Sequence, residues 1–172
     1  MKRISFLLTL LAGVLLSPYH LQAKEQAGSK NLISLQQDFV DLKFGMFIHF
    51  NIPTYMEHDW VDPEASPSLF NPVKLDCSQW AKAAKSAKMR YGCLTTKHHS
   101  GFCIWDTQTT DYDIMSSPIK RDVVKEYVEA FRKEGLETML YYSILDTHHK
   151  LRPGYITRGH IDMVKIQLTE LL

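Results

Sequence analysis

Residues 91–102 read YGCLTTKHHSGF: an apolar run, then a lysine, two adjacent histidines and a small, flexible Ser-Gly pair. The apolar part, starting from Arg90, has the length and character of a strand buried in a parallel sheet, where no polar alternation is required. Its polar end is what decides the fold, because strands that finish in polar groups at the same edge are the mark of a parallel α/β sheet with a site there.

Working outward, GMFIHF (residues 45–50) is a second short apolar run ending in His49, and LETMLYYSIL (136–145) is a third carrying Tyr141, Tyr142 and Ser143. The first is expected to be buried on both faces. Between them the periodicity changes to that of helices. In 76–89, Asp76 is a candidate N-cap, and Trp80, Ala83, Ala84 and Ala87 follow the spacing of one helix face. In 121–135, Asp122 caps, Val124, Tyr127, Val128 and Phe131 share a face, and Gly135 supplies the stop. A preceding helix is expected in 31–45, with Leu35, Phe39 and Leu42 on one side. A last one begins near 158, with Ile161, Val164, Leu168 and Leu171 on its apolar side. Strands alternating with amphipathic helices require crossovers, hence parallel pairing; the pattern leaves open sheet and closed barrel both possible.

The 172 residues are 45% hydrophobic, with Lys+Arg 20 against Asp+Glu 19, a balance that gives no electrostatic pull towards nucleic acid. Lys2 and Arg3 precede an apolar stretch from Ile4 to Leu16 and a possible cleavage point after Ala23, so residues 1–23 read as an export signal and the mature protein as periplasmic or extracellular. The stretch is shorter than the roughly 20 residues of a membrane span; no span is expected after signal removal. Residues 24–38 read as linker and the start of the first helix, and 39–172 as the folded part. Cys77, Cys93 and Cys103 lack a CxxC or zinc spacing and are expected to be small core residues.

Neutral imidazoles both donate and accept hydrogen bonds, which suits sugar hydroxyls, and a tryptophan face packs on the C–H side of a sugar ring. His49, His98 and His99 at two strand ends, Tyr141, Tyr142 and Ser143 at the third, and the Asp59-Trp60 pair of the 51–75 loop are therefore the candidates for binding. The same histidines could instead hold a metal, with Asp59, Asp146, His148 or His149 as a further ligand, but no ligand spacing demands one. The acids Asp111, Asp113 and Asp146 read as loop residues.

These features, in order GMFIHF, the acid-Trp loop, QWAKAAKSAKMRYGCLTTKHHSGFCIWDT, RDVVKEYVEAFRKEG and LYYS, resemble the amino-terminal part of α-L-fucosidases of glycoside hydrolase family 29. The resemblance covers about residues 40–172. It implies the first three units of a (β/α)8 TIM-like barrel, a fucosylated glycan as partner, no cofactor and no metal. It places His49, Asp59, Trp60, His98, His99 and Tyr141 around fucose. Asp59 stands where members usually have Glu, Ser100 where KHHDGF is usual, and Asn51 where glycine is common; the last two are expected to perturb their loops.

Retaining hydrolysis needs two carboxylates roughly 5 Å apart. The resemblance implies that the nucleophile and the acid/base lie beyond Leu172, with the rest of the barrel and a β-sandwich. The expectation is therefore a truncated, exported α-L-fucosidase, inactive alone; the alternative is a non-catalytic fucose-binding remnant.

Overall fold

The computed structural model describes residues 31–56, 58 and 60–172. The expected export signal, most of the linker, and Asp59 lie outside the described residues. The chain divides into two units, Met1–Asp41 and Leu42–Leu172. In the first, the described residues belong mostly to helix α1 (Leu32–Leu42), which has no buried residue; Leu35 and Phe39 are exposed. The helix is where the periodicity put it, but its apolar face is uncovered.

The second unit is built on three parallel strands in the order β1 (Gly45–Ile48), β2 (Tyr91–Lys97), β3 (Glu137–Tyr142). Gly45 pairs with Tyr91 and Tyr91 with Glu137, so the strands start level. Helix α2 (Cys77–Ser86) connects the first pair and α3 (Val123–Lys133) the second, and α4 (Arg158–Leu171) follows β3. The alternation of short strands and amphipathic helices thus gives the parallel sheet that its crossovers require.

Asp76 caps α2 by accepting the Ser78 and Gln79 amides, and Asp122 caps α3 through the Lys125 amide. After α3, Gly135 takes a φ of +69°. That left-handed turn lets Leu136 N donate to Phe131 O at 3.0 Å and ends the helix.

The α3 face is Val123, Val124, Tyr127, Ala130 and Phe131, all buried, with Val128 partly buried beside them. On α2 the expected face is shifted: Cys77, Ala81 and Ala84 are buried, whereas Ala83 and Ala87 are exposed. Alanines populate several registers of this helix equally well. Cys77, read only as a core thiol, is the residue that fixes the inward side. On α4, Ile161 and Leu168 are exposed and Gln167 is fully buried, so a polar residue occupies the inward position.

Met46 and Ile48, Leu94, and Leu140 and Tyr142 pack with Tyr127 and Phe131 into one core. Gly92 is required here: a Cβ would stand 2.4 Å from the Phe131 ring. Among the described residues the opposite face is only partly covered. Phe47 is 53% exposed, which corrects the expectation that β1 is buried on both sides; an apolar run of four residues does not reveal whether one face or two are covered.

The connections at the amino ends of β2 and β3 are short, residues 87–90 and 134–136, whereas those leaving the carboxyl ends are long, 51–76, 98–122 and 143–157. All the irregular chain therefore gathers at one edge. The three cysteines are free. Cys77 and Cys103 are buried and Cys93 partly so; burial pushes the Cys77 thiol up to about 12 and raises the other two, so they behave as packing residues.

Candidate sugar-binding site at the strand ends

His49 directly follows β1, and its Nδ1 lies 3.1 Å from Thr95 Oγ1 on β2. Between β2 and β3 the register shifts at Thr95/Lys97, a bulge that re-aims the residues beyond it. His98 and His99 come after the last β2 residue, in a turn closed by Gly101 N donating to His98 O at 3.0 Å. Because they have left the strand, their rings converge to 4.5 Å rather than pointing to opposite faces as adjacent strand residues would. The His49 ring stands 5.9 Å from His98 and 6.2 Å from Tyr141. Trp60 stacks on His99 at 5.4 Å with an 18° interplanar angle and is 65% exposed.

The structure thus brings together His49, Trp60, His98, His99 and Tyr141 from three strand ends and one loop. Their arrangement fixes some proton positions. Ser143 Oγ donates to Leu145 O at 2.7 Å, so its hydroxyl accepts from His99 Nδ1, also at 2.7 Å. His99 in its neutral form then presents Nε2 as an acceptor. His98 has no hydrogen-bonded ring nitrogen among the described residues. Its pKa is lowered by burial first, then by the neighbouring His99 and His49, which keeps it neutral and able to both donate and accept.

No carboxylate of the described residues bonds to His49, His98, His99 or Tyr141. Nor does any group of three or more His, Cys, Asp or Glu among them converge as metal ligands. The cluster can orient polar hydroxyls against an aromatic face; by itself it has no acid/base pair for cleaving a glycosidic bond.

Lys97 and Asp146 are the residues whose position the sequence did not disclose. Lys97, expected beside the histidines, turns away from them and is fully buried. Its ammonium donates to Tyr142 OH at 3.0 Å, Asp146 Oδ2 at 3.1 Å and Gln167 Oε1 at 3.1 Å. Asp146, read as a loop acid, is also fully buried, with His149 Nδ1 at 2.8 Å. Burial alone would raise its pKa, but the His149 hydrogen bond and the Lys97 charge outweigh it and bring the group to about 2. Buried charges require such pairing. The 143–151 loop is clamped onto β2 as a result: Ser143 N donates to Lys97 O at 3.0 Å and Thr147 N to His99 O at 2.8 Å.

Gly101, at φ +92°, leaves room for this carboxylate: a Cβ would stand 2.3 Å from Asp146 Oδ1. Asn51 does not disturb its loop. It is buried in extended backbone (φ −152°), accepts the Ile52 amide at 2.8 Å and donates to Phe102 O at 3.2 Å. Ser100 is buried, and its Oγ has no hydrogen-bond partner among the described residues.

The sequence model of the alpha-L-fucosidase family matches residues 64–165. Alpha-L-fucosidase 1 of Arabidopsis thaliana is 38% identical over 130 residues, covering 74% of this chain and 25% of that protein. The chain therefore spans about a quarter of the length of this relative. Among solved structures, a glycoside hydrolase 29 family member from an unknown rumen bacterium matches with TM-score 0.72 at 39% identity, covering 79% of this chain and 24% of that one. An α-L-fucosidase from Bacteroides thetaiotaomicron, solved as a trapped covalent intermediate in complex with 2-fluoro-fucosyl fluoride, matches with TM-score 0.69 at 28% identity, covering 85% of this chain and 40% of that one.

Proposed function

Since the chain belongs to the α-L-fucosidase family, we propose that its strand-end cluster is the fucose-recognising side of a retaining α-L-fucosidase active site. The single observation that carries this reading is the convergence of three imidazoles, Tyr141 and an exposed tryptophan at the carboxyl edge of one parallel sheet. His98, kept neutral by burial and its neighbours, supplies both a donor and an acceptor for vicinal hydroxyls, His99 turns Nε2 towards them, and the Trp60 face suits the C–H side of a pyranose. Asp59, next to Trp60, adds an acceptor. The sheet in this reading is the first three units of a (β/α)8 barrel, spanning 39–172. Residues 1–23 export the protein to the periplasm or the cell exterior, and 24–38 join them. The attacking and proton-donating carboxylates come from other parts of the full-length barrel, so the 172 residues alone hydrolyse no fucoside.

A binding-only role is the second reading, favoured by the absence of a carboxylate bonded to the cluster among the described residues. Ligand-observed NMR with methyl α-L-fucoside tests the shared claim. Binding is expected to be lost in Trp60→Ala and His99→Ala; equal binding by both variants and the parent sinks it. An aryl α-L-fucoside separates the two readings. The full-length polypeptide turning it over supports the enzyme, and fucoside binding by that polypeptide without turnover supports the remnant.

A further inference from the structure

The loop after β3 holds a second feature, a cavity of about 490 Å³ outside the imidazole cluster. Pro63, Leu145, Leu151 and Tyr155 give it apolar surface, and Lys150 and Arg152 give it charge. It adjoins the cluster through two residues. Thr147, in its wall, donates both its amide and its hydroxyl to His99 O, at 2.8 and 3.1 Å. Pro63, in the facing wall, lies three residues from the Trp60 that stacks on His99, and its carbonyl accepts His148 Nδ1 at 2.6 Å.

The wall is firmly built. Asp146 and Leu151 exchange backbone hydrogen bonds at 3.0 and 2.8 Å, and Tyr155 N donates to Arg152 O at 2.9 Å. Lys150 is held at φ +59°, a backbone region that costs a lysine energy and needs support from its surroundings. Asp146 is also part of the wall, but its carboxylate is fully buried and paired with Lys97 and His149. Neither Lys150 nor Arg152 has an ion-pair partner among the described residues. The charge in the wall is therefore carried by Lys150 and Arg152, both exposed.

We propose that this cavity receives the sugar to which fucose is joined, and that it selects a sugar bearing a sulfate or carboxylate. The assignment rests on the reading that the neighbouring cluster holds fucose. Tyr155 offers an aromatic surface for the second ring. Lys150 and Arg152 meet its anionic substituent.

The test is an NMR titration of the full chain with four separate probes: methyl α-L-fucoside, and the methyl glycosides of N-acetylglucosamine, its 6-sulfate and glucuronic acid. The 6-sulfate or the uronide is expected to bind roughly fivefold more tightly than the neutral sugar, less so in high salt. The preference disappears in the double variant Lys150→Gln/Arg152→Gln, whose changes at exposed side chains spare the fold. A preference for sulfate over uronide, or the reverse, identifies the natural substituent. Equal binding of charged and neutral sugars, no binding of any, or a preference unchanged in the double variant overturns the proposal. Failure of methyl α-L-fucoside alone, with the charged preference intact, overturns the fucose reading instead and leaves an anionic sugar site.

Discussion

Replacing Asp146 by asparagine leaves the Lys97 ammonium buried without its counter-ion, and breaking a buried pair from one side costs about 3–5 kcal/mol. Urea unfolding at pH 7 is expected to show a loss of that order. The parent protein carries a linked pH dependence. The folded carboxyl titrates near 2 and the unfolded one near 3.8, so its contribution is full above the unfolded value and is lost as pH falls towards 2. That contribution is about 2 kcal/mol. Asp146→Asn is expected to flatten this part of the stability curve; an unchanged acid slope would show that the pair does not set it. At His98 the sign is opposite in chemical sense: a lowered pKa means the acceptor nitrogen survives below the ordinary imidazole value of 6.5. Methyl α-L-fucoside affinity is expected to be constant above pH 7 and to fall only below that value, as protonation removes the acceptor. At this scale His49, His98, His99 and Tyr141 were legible as polar or aromatic residues where strands should end, and Trp60 as an aromatic residue in the loop between them. Lys97 was not: a lysine next to two histidines reads as their partner, and only the bulge at Thr95/Lys97 turns it to the other side.

Among the elements, α3 packs closely on β2. Adding a methyl group at Gly92 drives Cβ to 2.4 Å from the Phe131 ring, and an overpacked core costs about 1–3 kcal/mol. Gly92→Ala is expected to lower the midpoint of thermal unfolding; no shift would mean that the ring yields freely. The helices themselves were legible from caps and spacing, since Asp76, Asp122 and Gly135 act through backbone geometry within a few residues. Their inward faces were less so. Alanine-rich α2 carries too little apolar contrast to fix its rotation, and α4 turns Gln167 inward because Lys97, Tyr142 and Thr109 meet it there, at 3.1, 2.5 and 2.6 Å. A buried amide with its partners satisfied outcompetes an isoleucine with nothing to pack against.

At the scale of the whole molecule, the sheet of the Leu42–Leu172 unit has one face covered by helices and the other only partly covered among the described residues, with Phe47 53% exposed there. An apolar surface of this kind drives self-association. Phe47→Ser is expected to raise solubility and lower binding of a hydrophobic dye without lowering stability, as read by sedimentation and dye fluorescence. Equal self-association in the variant would place the sticky surface elsewhere. Parallel pairing follows from sequence alone, because strands joined through helices must cross over; the order β1-β2-β3 is set by the tertiary structure. The strand-end location of the cluster follows from the same rule. Periodicity and turn chemistry operate over three or four residues, and the chain states them directly. What the tertiary structure alone decided is which side chains meet across 44 to 70 residues of separation: His99 with Ser143, Lys97 with Asp146 and Gln167. Those contacts depend on a one-residue slip in the ladder and on the depth to which each group is buried, and a slip or a burial depth is a property of neighbours in space, which residue order does not encode locally.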